Sequence, residues 1–132
     1  MHRNVKDMDR LCKIRDIQRA VNQFEQGFEK TYGICLNEGM ALCSLLKAGS
    51  LSSGEIGELL GLTSSNNSKV IGSVEKKGLV ERVIGTKDKR QMYFSLTPKG
   101  KELISSLKCE QIEIAPPLLE LLERSGTAEQ SC

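Results

Sequence analysis

Four charged residues follow one another at Lys87, Asp88, Lys89 and Arg90, between two short apolar stretches. The residues before them are GLVERVI, and those after them are MYFSL. Runs rich in β-branched and aromatic residues on both sides of a polar turn indicate a β-hairpin. A hairpin tip with net positive charge can bind phosphates or enter a groove of negative potential.

A second polar and basic group precedes the hairpin, in a stretch that the spacing of Val70, Ile71 and Val74 marks as a helix. Its other face carries no acid before Glu75. A helix that contacts only water usually mixes acids and bases, whereas a helix beside DNA phosphates excludes acids. Short donors and acceptors on such a helix can reach base edges in the major groove. The candidate DNA-binding residues of this face are Ser64, Ser65, Asn66, Ser68, Lys69, Ser73 and Lys76.

Charge is distributed unevenly along the chain. Residues 62–108 contain ten Lys and Arg but four Asp and Glu, whereas the remainder contains nine basic and thirteen acidic residues. This stretch is therefore positive, although the net charge of the whole chain is only +2. Such an asymmetry points to a polyanionic partner. A charged face that contacts only solvent is the alternative on charge alone.

The sequence offers little for catalysis or metal binding. His2 is the only histidine, and no Ser/His/Asp set, phosphate-binding loop or metal-ligand cluster appears. The five cysteines are far apart and form no C-x-x-C pair. Aromatic residues are too few to favour an aromatic-lined cofactor cavity. We therefore expect no enzyme activity, no catalytic residue, no metal and no cofactor.

The expected location is the cytoplasm. No apolar run approaches the roughly 20 residues that a membrane span needs, and MHRNVKDMDR lacks the apolar segment of a secretory signal. The length of 132 residues suggests a single domain, 1–132.

Apolar spacing and capping residues predict six helices around the hairpin. The first runs from Asp9 to about Tyr32, with Gly33 as its stop, and the second is capped by Asn37 and runs to about Ala48.

The third and fourth helices carry clear boundary signals. Ser52 and Glu55 form a capping box, Gly61 supplies a left-handed stop, and Thr63 caps the fourth helix, which ends at Gly78.

Two further helices follow the hairpin. Thr97 caps the fifth, with Pro98 at its first position, and this helix is expected to continue past Leu107. A short Leu-rich sixth helix follows a break at residues 116–117.

The third and fourth helices are short and joined by GLT at residues 61–63, the length and chemistry of a helix-turn-helix. Gly57 within the third helix costs roughly 1 kcal/mol relative to alanine, and a close helix crossing would explain it. A generic helical hairpin is the alternative. A hairpin directly after a recognition helix is a wing, which reaches the adjacent minor groove. There Arg90 is the best candidate for insertion, Lys87 and Lys89 would neighbour phosphates, and Asp88 would direct the guanidinium.

The stretch LLGLTSSNNSKVIGSVEKKGLVERVIGTKDKRQMYFSLTPKGKEL resembles the winged helix-turn-helix core of the MarR family of bacterial transcriptional regulators. The matching pieces are the helix-turn-helix, residues 74–82, the wing pair Asp88 and Arg90, and LTPKGKEL at 96–103. The resemblance covers residues 36–108. It implies a mainly α fold with a small antiparallel hairpin wing. It also implies a DNA-binding lobe at 36–96 and dimerisation helices at 8–33 and 97–125.

The resemblance further implies a homodimer that binds a palindromic operator in double-stranded DNA. Repression by blocking a promoter, and release by a small-molecule effector, are the usual outcome in the family. The sequence departs from the family at Asn67, where an apolar residue is usual, and at Lys69 and Lys89, where arginine is common. Lysine is a point charge rather than a bidentate fork, so base recognition there should be weaker.

Two other functions fit the same fold. The first is a cysteine-based redox sensor, because Cys12 lies roughly where sensors of this family carry a reactive thiol. Gln26 and Leu36 stand where such sensors carry the tyrosines that hold it. The second is a winged-helix module that binds protein and not DNA, which a weak salt dependence of DNA binding would indicate.

Overall fold

The computed structural model describes residues 4–85, 91–107 and 112–124. The helices are α1 (Asn4–Tyr32), α2 (Leu36–Ala48), α3 (Ser53–Leu60), α4 (Ser64–Lys76), α5 (Pro98–Ser105) and α6 (Pro116–Arg124), and the strands are β1 (Ser50–Ser52), β2 (Val80–Ile84) and β3 (Met92–Leu96). The chain divides into two compact units. One is Ile34–Leu107, and the other joins Met1–Gly33 to Lys108–Cys132.

The unit formed by the chain ends consists of α1 and α6, which pack on each other. Ala20 and Phe28 are buried, and the ring of Phe28 contacts those of Phe24 and Tyr32 at centroid distances of 6.0 and 5.2 Å. The predicted first helix is confirmed, although it begins at Asn4. No helix among the described residues is long and apolar enough to cross a membrane.

The other unit is built around α2, which contacts α3, α4, α5, β1 and β3. Ala41, Leu42 and Leu45 on its inner face are almost completely buried. The predicted cap at Asn37 is wrong, because Cys35 is the N-cap and α2 begins at Leu36. The Glu38 carboxylate accepts from the Cys35 backbone N–H at 2.7 Å, which is the reciprocal half of a capping box and fixes the helix start.

The sheet has three antiparallel strands in the order β1-β3-β2. The predicted hairpin is confirmed, since Val80 pairs with Leu96 and Ile84 with Met92. The expectation of a lone hairpin is wrong, because β1 adds to the other edge of β3, with Leu51 opposite Phe94. Three residues are too few to show a period of two, so this strand left no sequence pattern.

Most of the predicted helix boundaries are confirmed. Ser52 and Glu55 form the capping box of α3, Gly61 has a left-handed conformation, and Thr63 accepts from the Asn66 N–H at 3.2 Å.

The end of α5 differs from the expectation. Thr97 caps the helix and Pro98 is its first residue, but the helix ends at Ser105 and does not continue past Leu107. The Ser106 hydroxyl donates to the Leu103 carbonyl at 2.7 Å, which satisfies a helix-end carbonyl locally.

Close backbone contact joins α5 to the start of β2. A Cβ built on Gly100 would lie 2.1 Å from the Leu79 carbonyl oxygen. Thr97 reinforces this contact, because its N–H donates to the same carbonyl at 3.0 Å and its hydroxyl donates to the Gly78 carbonyl at 2.7 Å. Glycine at position 100 thus lets α5 seat the wing strands against the end of α4.

We expect Gly100→Ala to lower the free energy of unfolding by about 2–3 kcal/mol, because the added methyl collides with a backbone that cannot move aside cheaply. Gly54→Ala is the matched control, since a Cβ there meets no atom within 4 Å. It should be neutral or stabilise by up to about 1 kcal/mol. Urea unfolding of both variants measures this, and equal changes would contradict the close contact.

Candidate nucleic-acid interface

The buried side of α4 is formed by Asn67, Val70, Ile71 and Val74. The remaining candidate residues on this helix lie on its other sides. Those with exposed side chains are Ser64, Ser65, Asn66, Ser68, Lys69 and Lys76. Ser73 is half-buried. The sequence-derived face is therefore brought together on one helix, with Ser73 at its inner border.

Asn66, Lys69, Ser73 and Lys76 follow one another at steps of three and four, so they form one stripe along α4. We call these four residues the reading stripe. Gly72 lies beside it, is exposed, and a Cβ there would meet no atom within 4 Å. Packing within the described chain therefore does not explain this glycine, and its absent side chain leaves the helix surface open to a large partner.

The crossing of α3 and α4 depends on Gly57 and Asn67. A Cβ built on Gly57 would lie 2.8 Å from Asn67 Nδ2, which confirms the predicted close crossing. The same Nδ2 donates to the Ser53 carbonyl at 2.9 Å, while Oδ1 is buried and accepts no hydrogen bond from the described residues. Asn67 thus ties α4 to the first turn of α3.

A buried carboxylate holds the other end of α4. Glu38 is only 3% exposed, and its Oε2 accepts from the Ser73 hydroxyl. Lys77 Nζ donates to both carboxylate oxygens at 3.0 Å, and the Cys35 N–H donates to Oε1. Burial raises the pKa of Glu38, but the hydrogen bonds from Ser73, Cys35 and Lys77 outweigh it, so the net pKa lies below the ordinary value.

The sequence analysis missed Glu38. Its three-residue offset from Cys35 signals a helix start, but cysteine is not a common cap. No local pattern reveals a partner 35 residues further along the chain.

A second ion pair links α4 to the wing. Arg82 on β2 donates to both oxygens of Glu75, at 2.8 and 3.3 Å, and its guanidinium carbon lies 5.8 Å from the centroid of Phe94. Glu75 is the acid within α4, so this pair neutralises the negative charge that α4 itself carries. Next to the charged tip, β2 ends at Ile84 and β3 begins at Met92. Lys87, Asp88, Lys89 and Arg90 lie outside the described residues, and their wing roles stay predictions.

The cysteines that the structure describes are free thiols. Cys12 is exposed, and its role as a redox sensor stays a prediction. Burial, together with the charge of Glu38, raises the pKa of Cys35 and disfavours a reactive thiolate there. Within residues 4–85, 91–107 and 112–124, no group of three or more His, Cys, Asp and Glu side chains is arranged to hold a metal ion.

Residues 34–92, from the residue before the α2 cap to the start of β3, match the family described as MarR family. This match places residues 34–92 in the MarR family. Members of this family are transcriptional regulators and not enzymes. A relative from Bacillus subtilis (strain 168), the uncharacterized HTH-type transcriptional regulator YwaE, is 32% identical over 93 residues. That match covers 70% of this chain and 54% of YwaE, so the chain spans about half the length of this curated relative.

Solved MarR-family structures share the fold. A mutant MarR from E. coli complexed with operator DNA matches at 22% identity with a TM-score of 0.67, over 95% of this chain and 86% of that one. The MepR–DNA complex from S. aureus matches at 20% identity with a TM-score of 0.57, over 85% of this chain and 86% of that one. The predicted fold class, a mainly helical winged helix-turn-helix with a small antiparallel sheet, is confirmed.

The lowered pKa of Glu38 predicts a stability that depends on pH. The native carboxylate binds its proton at a lower pH than the unfolded one, whose pKa is about 4.3. Its contribution is therefore complete above the unfolded pKa and is lost as pH falls through the native pKa. Glu38→Gln should cost about 1–3 kcal/mol of unfolding free energy at neutral pH, and this difference should shrink below about pH 4.

Glu55→Gln is the matched control for this measurement. Glu55 occupies the same capping-box position of α3, but its side chain is exposed and its carboxylate accepts from the Ser52 N–H at 2.8 Å. Its substitution should change the unfolding free energy by less than about 0.5 kcal/mol. Denaturant unfolding between pH 3 and pH 7 compares the two, and a constant cost of Glu38→Gln across that range would contradict the assignment.

Proposed function

We propose that this protein is a sequence-specific transcriptional regulator that binds double-stranded operator DNA as a homodimer, through α4 in the major groove and the wing beside it. The observation that carries the proposal is the reading stripe, an acid-free line of small polar and basic side chains that is exposed except at half-buried Ser73. Asn66 lies near the N-terminal end of α4, the end that enters the groove deepest in helix-turn-helix proteins. Its amide can both donate to and accept from one adenine edge.

The local charges favour DNA over a protein partner. Glu38 and Glu75, the acids on the two sides of α4, are paired with Lys77 and Arg82. Lys69 and Lys76 are exposed, and neither forms an ion pair within the described residues. Both ammonium groups are therefore available to phosphates, which position the helix but carry no sequence information.

Exposed apolar side chains on α1 and α6 support the homodimer. Leu11 and Ile14 are 65% and 51% exposed, and Leu119 and Leu122 are 39% and 50% exposed. Apolar surface of this kind on adjoining helices is characteristic of an interface. Segments 8–33 and 97–125 are the proposed dimerisation helices, and 36–96 the proposed DNA-binding lobe. A dimer would present two α4 helices to one palindromic operator.

Repression and its release complete the proposal. A dimer seated on a promoter blocks transcription, and a small-molecule effector that favours another conformation releases it. MarR from E. coli has been solved with operator DNA and MepR from S. aureus with DNA. Both share the fold of this chain, which supports a DNA partner here.

The test uses two duplexes. The first is the duplex that the wild-type protein enriches from a random-sequence library, here called the selected duplex, and the second is a scrambled sequence of the same composition. Binding to both is measured by fluorescence anisotropy at several salt concentrations. Affinity for both should fall steeply with salt, and the selected duplex should bind more tightly. A protein that binds neither duplex at low salt is not a DNA-binding regulator.

The same titration separates base recognition from phosphate attraction. Asn66→Ala should weaken binding to the selected duplex by about 1–3 kcal/mol and leave the scrambled duplex and the salt slope unchanged. Lys76→Ala, from the far end of the reading stripe, is the matched variant and should weaken both duplexes alike while reducing the salt slope by about one unit. Equal loss on both duplexes with Asn66→Ala would show that Asn66 does not read bases.

A further inference from the structure

We propose that Glu38, which lies on α2 and contacts the reading stripe at Ser73, is a positioning residue for DNA recognition that fixes the rotation of α4 about its axis through Ser73 and Lys77. The inference rests on the proposed function, since it names what orients the helix that would read DNA. It also assigns Ser73 a different role from the direct DNA contact that its sequence position suggests.

The contacts of Glu38 are directional and converge on one side of α4. The Ser73 hydroxyl donates to Oε2, and Lys77 Nζ lies 3.0 Å from both oxygens. Ser73 and Lys77 are four residues apart, so they lie one turn apart on the same side of the helix. The Cys35 N–H holds the carboxylate itself at 2.7 Å, which anchors it to the start of α2.

Because α4 is a regular helix, the contact at Ser73 also restrains the end of the helix that would face DNA. Ser73 follows Asn66 by seven residues, which is close to two turns, so both lie on nearly the same line along α4. Asn66 is exposed at one end of this line, and Ser73 is half-buried against Glu38 towards the other. A contact that fixes the rotational position of Ser73 about the helix axis therefore also fixes that of Asn66.

The apolar contacts of α4 do not fix the rotation by themselves. Val70, Ile71 and Val74 are buried, but apolar packing is not directional. A rotation of about 15° moves a side-chain tip by roughly 1.5 Å at the radius of a helix with its side chains. That displacement exceeds the tolerance of about 0.5 Å within which a binding constellation must be held. Directional hydrogen bonds from Ser73 and Lys77 to a buried carboxylate restrain the rotation at the C-terminal end of α4.

A double-mutant cycle on the full-length protein tests the proposal. Glu38→Gln removes the charge and offers an amide N–H₂ where the carboxylate accepted hydrogen bonds, while Ser73→Ala removes the hydroxyl. Each variant and the double variant are titrated with the selected duplex and the scrambled duplex. Ile34→Val, a core truncation outside the proposed DNA-binding lobe and the proposed dimerisation helices, is the stability control.

Each single variant should weaken binding to the selected duplex by about tenfold, as loss of one well-aimed base contact does. Binding to the scrambled duplex should change by less than about twofold. The double variant should bind as the weaker single variant does, because both act through one contact. Ile34→Val should bind both duplexes as the wild type does.

Three results would overturn the proposal. If the losses of the two single variants multiply, Ser73 contacts DNA independently of Glu38. If both duplexes lose equally, or if Glu38→Gln binds as the wild type does, Glu38 does not orient the reading stripe. Should Glu38→Gln fail to fold, Lys77→Met takes its place in the cycle with the same expectations.

The design also separates this proposal from the proposed function. A wild-type protein that binds no duplex refutes the proposed function. A wild-type protein that prefers the selected duplex, with variants that keep that preference, refutes only the positioning role of Glu38.

Discussion

A buried carboxylate on α2, that of Glu38, holds the C-terminal end of α4. Removing a carboxylate from water is costly unless hydrogen bonds and an opposite charge compensate it. Glu38 obtains both from the backbone of Cys35, the hydroxyl of Ser73 and the ammonium of Lys77. All three contacts form together at the placement of α4 against α2 that the structure has. Loss of any donor therefore affects the placement of α4 as well as its stability.

Two other directional contacts share this function. Asn67 ties the first half of α4 to the Ser53 carbonyl of α3, and the close approach of Gly57 makes that contact possible. Glu75 ties the last turns to Arg82 on β2, which also packs over Phe94. Helices α2 and α3 and the wing strand β2 thus each hold α4 through one polar residue, which is Glu38, Ser53 and Arg82 respectively. The acids Glu38 and Glu75 are thus paired with basic side chains, whereas the lysines of the reading stripe stay exposed.

Local rules predicted much of the fold. The capping box of Ser52 and Glu55, the left-handed Gly61 and the Thr97–Pro98 start depend on neighbours within four residues, so the sequence displays them directly. The close crossing at Gly57 could also be predicted, because a helix-interior glycine away from a cap requires an explanation. In contrast, β1 is too short to show a pattern, and Cys35 is an uncommon cap.

The sequence likewise predicts one part of the candidate site and not another. The exposed stripe from Asn66 to Lys76 follows from helical periodicity. The grip of Glu38 on Ser73 joins residues 35 positions apart and depends on how α2 crosses α4. Periodicity placed Ser73 on the polar face, but only the packing of α2 shows that its hydroxyl faces a buried acid. Long-range polar contacts of this kind have no local sequence signature.

Base recognition by α4 in the major groove is the central claim, and guanine methylation interference on the selected duplex tests it most directly. Methylation at N7 blocks the major-groove edge of guanine without altering the phosphates. A homodimer with one α4 in each of two successive major grooves predicts two clusters of interfering guanines, about 10 base pairs apart. If no methylated guanine interferes with binding, or if the interfering guanines form a single cluster, the account is contradicted.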